Sequence, residues 1–241
     1  DPRVRGIRFR TNFGKAAGLT AGFRAARGEI IFTMDADLQD DPHEIPRFLR
    51  KIDDGFDLVS GWKQVRHDPW HKVFPSRVFN KMIGVLTGVH LHDHNCGMKC
   101  YRREVTEEID LHGGMYRFAG VLADAKGYKV DEVVVHHSAR QFGHSHYGFT
   151  RFFKGSLDLL TVWFRTKFGE QPQYLFGPIA AILVLWGLIG WVFSFTGFAL
   201  VSIVVGVQLF VTGLIAELVA AERSTQSRSY SISDQVGTTP Q

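Results

Sequence analysis

The chain has 241 residues, with 28 Lys and Arg against 24 Asp and Glu, for a formal net charge of +4. Those charges are unevenly placed: 46 consecutive residues, 171–216, contain no Asp, Glu, Lys, Arg or His, while the rest is charged like an ordinary soluble domain. The division excludes a wholly soluble enzyme, a mostly disordered chain and a disulfide-stapled secreted domain.

Residues 1 to about 145 alternate short apolar runs with amphipathic ones. Residues 4–9 read as a strand, 15–27 as a helix, 29–34 as a strand, 43–54 as a helix, 56–60 as a strand and 76–87 as a helix. This alternation predicts a parallel α/β sheet. The two cysteines, Cys96 and Cys100, lack the Cys-x-x-Cys spacing, so they read as reduced, apolar side chains in a domain facing the cytoplasm.

Next, residues 149–168 mix Phe152, Phe153, Leu157, Leu160, Trp163 and Phe164 with Arg151, Lys154, Arg165 and Lys167. Such a segment suits a helix lying among lipid headgroups; a core helix of the preceding domain is the competing reading. Residues 174–195 and 198–221 then supply two apolar stretches, broken near Thr196 and Gly197, each long enough to cross roughly 30 Å of hydrocarbon. A buried helix pair would rarely tolerate so long an uncharged run. Basic residues flank the two stretches (Arg165 and Lys167 before, Arg223 and Arg228 after) and none lies between, which puts both ends in the cytoplasm. The tail beyond Glu222, rich in Ser, Thr and Gln, reads as disordered. The expected organisation is thus a catalytic-type domain at 1–147, a juxtamembrane segment at 148–172, a two-span hairpin at 173–221 and a tail at 222–241.

The strongest local chemistry lies in Ile30-Ile31-Phe32-Thr33-Met34-Asp35-Ala36-Asp37-Leu38-Gln39-Asp40-Asp41-Pro42, where an apolar strand runs into acidic residues. Ligands of open α/β sheets bind at the carboxyl ends of strands. Side chains alternate on extended backbone, so Asp35, Asp37 and Gln39 point one way and offer oxygen ligands to Mg²⁺ or Mn²⁺. The same run also reads as an acidic cap for the helix starting near Pro42. His90, His92 and His94 alternate too and, with Cys96, suggest a zinc site. Neither they nor His136, His137, His144 and His146 have paired ligand spacing, so packed or solvated histidines are the preferred reading.

Taken in order, several segments resemble the family-2 glycosyltransferases of the dolichyl-phosphate mannose synthase and polyprenyl-phosphate glycosyltransferase type. They are Arg10-Thr11-Asn12-Phe13-Gly14-Lys15, the segment from Gly22 to Gly28, and the acidic run from Met34 to Pro42. Gly61-Trp62, Ser76-Arg77 and Asn80 follow, then Asp93-His94-Asn95-Cys96-Gly97-Met98-Lys99-Cys100-Tyr101-Arg102-Arg103-Glu104, and finally Arg140-Gln141-Phe142-Gly143-His144-Ser145-His146-Tyr147. The resemblance spans about residues 7–195.

It implies a GT-A fold, Rossmann-like with a mostly parallel sheet. The implied reaction moves a sugar, with inversion, from a UDP- or GDP-linked donor to a polyprenyl phosphate such as dolichyl or undecaprenyl phosphate. Carried over by position, the metal ligands are Asp35, Asp37 and Gln39; the donor contacts are Asp35, Arg140 and Ser145; the acceptor phosphate meets Lys63, Arg66 and Arg77; and Asp93 and Lys99 lie nearest the transferred sugar. Lys99 stands where the family more often has Arg, keeping the charge without the bidentate fork. A phosphate acceptor is already an anion at neutral pH, so positioning and charge neutralisation matter more than a general base. Arg66, Arg77 and Arg140 read equally as solvated charges if taken singly.

The resemblance further implies a cell-membrane protein with two spans and a cytoplasmic catalytic domain, no nucleic-acid partner, and leaves a homo-oligomer open. The family's opening strand, Pro-x-Tyr-Asn-Glu turn, helix and Asp-Asp-Gly-Ser segment do not occur in these 241 residues, so the chain reads as lacking the first strands of the sheet, with residues 4–9 at an exposed edge. Two rival readings remain: a family-2 transferase of polysaccharide or glycolipid synthesis, and a catalytically silent truncated membrane protein.

Overall fold

The structure, a computed structural model, describes residues 1–64, 70–136, 149–168 and 232–236, with the isolated positions 208, 211, 215 and 218. The chain divides into one compact unit of residues 1–162 with 228–241 and a second of residues 163–227.

In the first unit, β1 (Gly6–Phe9) leads to α1 (Gly14–Ala25). The helix starts abruptly because Asn12 Oδ1 accepts the Gly14 N–H at 2.8 Å while Gly14 sits at φ +85°, a backbone angle open to glycine at little cost. Its small buried residues Ala17 and Ala21 let Ile7 and Phe9 of β1 pack closely. β2 (Ile30–Thr33) ends at the acidic run. Asp41 then caps a short 3-10 turn, Pro42–Glu44, by accepting the His43 N–H at 2.9 Å, and α2 (Ile45–Asp53) follows. The single helix expected at 43–54 is therefore a 3-10 turn joined to an α-helix, with Pro42 at a position that needs no amide donor.

β3 (Leu58–Trp62) precedes α3 (Trp70–Thr87). α3 begins six residues before the expected start at 76 and carries Pro75 in its interior. It ends where Gly88 adopts φ +85° and donates its N–H to the Gly84 carbonyl at 2.9 Å. β4 (Lys99–Arg102), α4 (Arg103–Glu108), a 3-10 turn at Met115–Phe118, α5 (Ala119–Asp124), β5 (Val130–Val134) and α6 (Phe149–Phe168) complete the order before β6 (Ile232–Val236).

The four-stranded sheet has the order β2-β4-β3-β5, with β4 antiparallel to both neighbours and β3 parallel to β5. This corrects the expected mostly parallel sheet: the fold is α/β with a mixed sheet. β2 and β3 do run the same way, as the α2 crossover between them requires, but β4 inserts between them in the opposite direction. Residues 4–9 were expected to begin the same sheet; instead β1 pairs antiparallel with β6 in a separate two-stranded ribbon. β6 falls within the tail read as disordered.

Alternation along the strands sends neighbouring side chains to opposite faces. Ile31, Leu58 and Tyr101 pack on one face with Phe23, Val105 and Ala119, while Val59, Cys100 and Val133 pack on the other with Phe48, Ile52 and Met98. Each such large apolar side chain contributes about 1.5–3 kcal/mol by leaving water.

A third cluster joins Phe79 and Ile83 of α3 to Phe118, Leu159 and Val162. One face of α6 is thus part of the core, as the competing reading had it, yet Phe153 and Leu157 on the same helix remain 64% and 50% exposed. In the second unit, the α6 residues Trp163 and Phe168 stack edge to face at 5.3 Å. Among the described residues no helix is long and apolar enough to cross a membrane, and the two spans expected within 173–221 lie outside the described residues apart from four isolated positions.

Candidate functional site

The carboxyl ends of β2 and β3 and the start of β4 lie together, because Lys99 is in register with Thr33 on one side and with Ser60 on the other. Three segments meet there: the acidic residues 35–40 after β2, Lys63 after β3, and the 93–98 loop leading into β4.

The acidic segment leaves the extended backbone expected for it and turns at residues 36–37, although burial still alternates along it. Asp35, Asp37 and Gln39 are half-buried while Ala36 and Leu38 are exposed. Asp37 Oδ1 accepts the Gln39 N–H at 3.3 Å, and Leu38 between them adopts φ +61°, an uncommon backbone angle for a side chain without a polar group of its own. Among the described residues no group of three or more His, Cys, Asp or Glu is placed to hold a metal ion. Asp35, Asp37 and Gln39, the residues expected from the sequence, would offer a cation two carboxylates and an amide oxygen. Such hard oxygen donors fit Mg²⁺ or Mn²⁺, which commonly take one or two carboxylates and complete their shell with substrate phosphate and water.

Two lysines engage this segment. Lys15, in the first turn of α1, places Nζ 2.5 Å from Asp35 Oδ1 and lies 5.4 Å from the Tyr116 ring centre. Lys63 Nζ lies 2.8 Å from Asp40 Oδ1, and the Asp40 side chain is only 1% exposed. Burial opposes the Lys63 charge, but the negative groups around it, the ionised form of Cys96, Asp40 and Asp93, outweigh that and hold its pKa above the ordinary lysine value.

The third segment is braced from within. Asp93 is buried, and its Oδ1 accepts the Asn95 N–H at 3.1 Å. Thr33 Oγ1 donates to the Gly97 carbonyl at 2.9 Å. Lys99 is buried beneath the loop, where its ammonium donates to the carbonyls of His94, at 3.2 Å, and Cys96. Burial pulls the Lys99 pKa down, against the opposing pull of nearby Cys96, Asp93 and Asp35. Cys96 is pushed up to about 11, chiefly by burial and then by Asp93, so it is a neutral thiol near pH 7, in line with an apolar packing role.

The structure thus brings together Lys63, Asp93, Lys99 and Asp35, with Asp37 and Gln39 following Asp35 in the same segment. Arg77 is exposed on α3, a helix tied to the neighbouring loop by the Asn80 amide, which donates to the His92 carbonyl at 2.6 Å. Arg66, Arg140 and Ser145 lie outside the described residues. The histidines expected to share a face diverge: His92 stacks on Trp62 with ring centres 3.9 Å apart and pairs with Glu132, His90 packs against Gly84, and His94 is buried. A loop rather than a strand carries them, so period-two alternation does not apply.

Lys15 and Asp40 were given no role from the sequence. A basic residue opening α1 after Asn-Phe-Gly, and a further acid in the run after β2, were the available signals.

His94 supplies a pH prediction. Burial, helped by the Lys99 ammonium, lowers its pKa from 6.5 to about 3. The unfolded chain therefore takes up a proton near pH 6.5 that the folded chain refuses until about pH 3, so stability falls as pH drops through that window. Denaturant melts at pH 7, 5.5 and 4.5 should show the loss, with a shallower slope in His94→Asn; equal slopes would count against it.

Comparison with known proteins adds three findings. Residues 1–110 match the family model described as glycosyl transferase family 2. The dodecaprenyl-phosphate galacturonate synthase of Rhizobium johnstonii is 34% identical over 238 residues, covering 90% of this chain and 70% of that protein. The undecaprenyl-phosphate 4-deoxy-4-formamido-L-arabinose transferase of an Enterobacter species is 33% identical over 221 residues, covering 86% and 67%. Among solved structures, glucosyl-3-phosphoglycerate synthase from Mycobacterium tuberculosis aligns at 17% identity with a TM-score of 0.49, covering 68% of this chain and 57% of that one. That enzyme has also been solved with Mn²⁺ and UDP-glucose.

Proposed function

Because this chain belongs to glycosyl transferase family 2, we propose that it is a membrane-bound inverting glycosyltransferase that moves a sugar from a nucleotide-diphosphate donor to a polyprenyl phosphate. One observation carries the reading: in a chain this similar to polyprenyl-phosphate sugar transferases, the carboxylates after β2 and the lysines Lys15, Lys63 and Lys99 converge at one end of the sheet.

In this reading Asp35, Asp37 and Gln39 hold a divalent ion. When bound, the ion supplies charge neutralisation for the departing nucleoside diphosphate. An acceptor phosphate oxygen attacks the anomeric carbon, the bond to the donor diphosphate breaks, and the diphosphate leaves with the electron pair. No proton has to be removed from the acceptor, so the protein's task is placement and charge. Lys99 supports this by fixing the 93–98 loop and hence Asp93. Arg77, Arg66, Arg140 and Ser145 are the further candidates for phosphate contacts.

The membrane part of the proposal has its own support. α3 contains no Asp or Glu, and its outer side exposes Phe74 (65%), Val78, Met82 and Val85 (72%) beside Arg77 and Lys81. On α6, which meets α3 through Phe79 and Gly155, Phe153 and Leu157 are exposed beside Lys154 and show the same apolar and basic character. Such a surface suits anionic headgroups at the cytoplasmic face.

The full chain in proteoliposomes, given labelled UDP- and GDP-sugars and a polyprenyl phosphate, should form lipid-linked sugar; no product from any common donor would refute the assignment. In the same assay Val85→Glu with Phe153→Glu should raise the acceptor KM at least about fivefold and leave the donor KM within about twofold. An unchanged acceptor KM would remove α3 and α6 from the membrane contact.

A further inference from the structure

Asp40 and Lys63 form an ion pair that the site assignments do not contain, and it lies where the two halves of the site join. We propose that the pair is a positioning clamp: Asp40, through Lys63, holds the acidic segment after β2 against the end of β3, and so keeps Asp35 and Asp37 aimed at the donor diphosphate. The inference rests on the transferase reading above.

Topology creates the need. β2 and β3 are not neighbours in the sheet, since β4 lies between them. No backbone ladder therefore ties their ends together past Thr33 and Trp62. Asp40 spans that gap with one carboxylate: Oδ1 lies 2.8 Å from Lys63 Nζ, and Oδ2 accepts the Asp35 N–H at 3.2 Å. The second contact closes the turn from 35 to 40, and the first pins the closed turn to the next strand.

The turn needs such restraint. Leu38 within it is held at φ +61° with 63% of its surface exposed, so neither its backbone preference nor burial of its side chain favours that conformation. Asp40 and Lys63 are also the wrong pair for a purely stabilising purpose. Burying two charges gains little over an apolar pair of similar volume, whereas it fixes geometry on both partners. The Lys63 side chain is only 14% exposed and turned into Asp40, so its ammonium serves the framework and not the acceptor phosphate.

Four variants of the full chain test this: Asp40→Asn, which keeps the acceptor for the Asp35 N–H; Lys63→Met; both together; and Lys63→Arg, which keeps the charge. Each is measured for binding of Mn²⁺ with UDP or GDP, for kcat, and for the KM of polyprenyl phosphate. Asp40→Asn and Lys63→Met should each weaken Mn²⁺-nucleotide binding and lower kcat at least about tenfold, with the acceptor KM within about twofold. The double variant should be no worse than the poorer single one, because either change alone already opens the clamp, and Lys63→Arg should stay within about threefold of the native chain.

Losses that multiply in the double variant would overturn the proposal. So would a Lys63→Met variant whose acceptor KM rises while nucleotide binding is intact, since Lys63 would then act on the acceptor itself. Should Asp40→Asn fail to fold, the contrast between Lys63→Met and Lys63→Arg decides: equal losses in both overturn the clamp. A native chain that binds Mn²⁺-nucleotide but transfers no sugar refutes the transferase reading alone, because the binding measurements still read the clamp.

Discussion

Asp37→Ala is expected to reduce sugar transfer about a thousandfold or more, equivalent to ~4 kcal/mol of transition-state stabilisation. Asp37 is half-buried in the run where β2 gives way to the acidic turn, and in the proposed reading it is one of two carboxylates offered to the cation. Losing it removes a full negative charge from the cation position while Asp35 remains paired with Lys15 at 2.5 Å. Asp37→Asn separates charge from shape: the amide oxygen can still accept the Gln39 N–H that Asp37 now accepts at 3.3 Å, so the turn persists while the charge is gone. Both variants should lose activity and Mn²⁺ affinity with melting temperatures near that of the native chain. An Asp37→Asn enzyme retaining a tenth of native turnover would show that the cation is held elsewhere.

Gly97→Ala is expected to be the second most damaging change, lowering transfer about a hundredfold, or ~2.7 kcal/mol in the barrier. A Cβ at this position would collide with the carboxylate of Asp35, well inside contact distance. Backbone strain is not the reason, because Gly97 is not among the glycines at positive φ. The loop resists retreat, since the Gly97 carbonyl accepts from the Thr33 hydroxyl and Lys99 holds the carbonyls of His94 and Cys96 just before it. Asp35 must therefore swing away, disturbing its contact with Lys15 and its place as a ligand. Gly18→Ala and Gly22→Ala make the contrast: both glycines are exposed on α1 with nothing within 4 Å of an added Cβ. These changes should leave transfer intact and stabilise the helix by up to about 1 kcal/mol. If Gly97→Ala turned over as fast as the α1 variants, the contact between Gly97 and Asp35 would have no part in the reaction.

Much of the site could be read along the chain because its signals are short-ranged. Asp35, Asp37 and Gln39 sit two residues apart just past a strand end, which marks them from the sequence, although the structure carries them on a turn with Leu38 at φ +61° and not on extended backbone. The helices α1, α2 and α6 likewise announced themselves by periodicity and punctuation. α3 was expected only from residue 76, whereas the helix begins at Trp70 and carries Pro75 in its interior. β4 and β5 were not identified at all. β4 is four residues long, Lys99–Arg102, and two of the four are basic, so nothing in its composition marks a central strand. Lys99 is tolerated there because its ammonium reaches loop carbonyls, a solution visible only once the loop is folded over it.

Spacing along the chain was enough to specify the α/β alternation, the acidic strand end, the uncharged stretch at 171–216 and, through ordered motifs, the family. All of these rest on spacing between near neighbours, where bond geometry and side-chain period leave few choices. Tertiary structure alone decided that β4 runs against β2 and β3, that β1 leaves the main sheet to pair with β6, and that Lys63 faces Asp40 while Lys15 faces Asp35. Those pairings join residues 20 or more positions apart, and no local preference distinguishes one distant lysine from another. The choice is made by which strand ends the sheet order brings together and by the cost of leaving a buried carboxylate without a counter-charge.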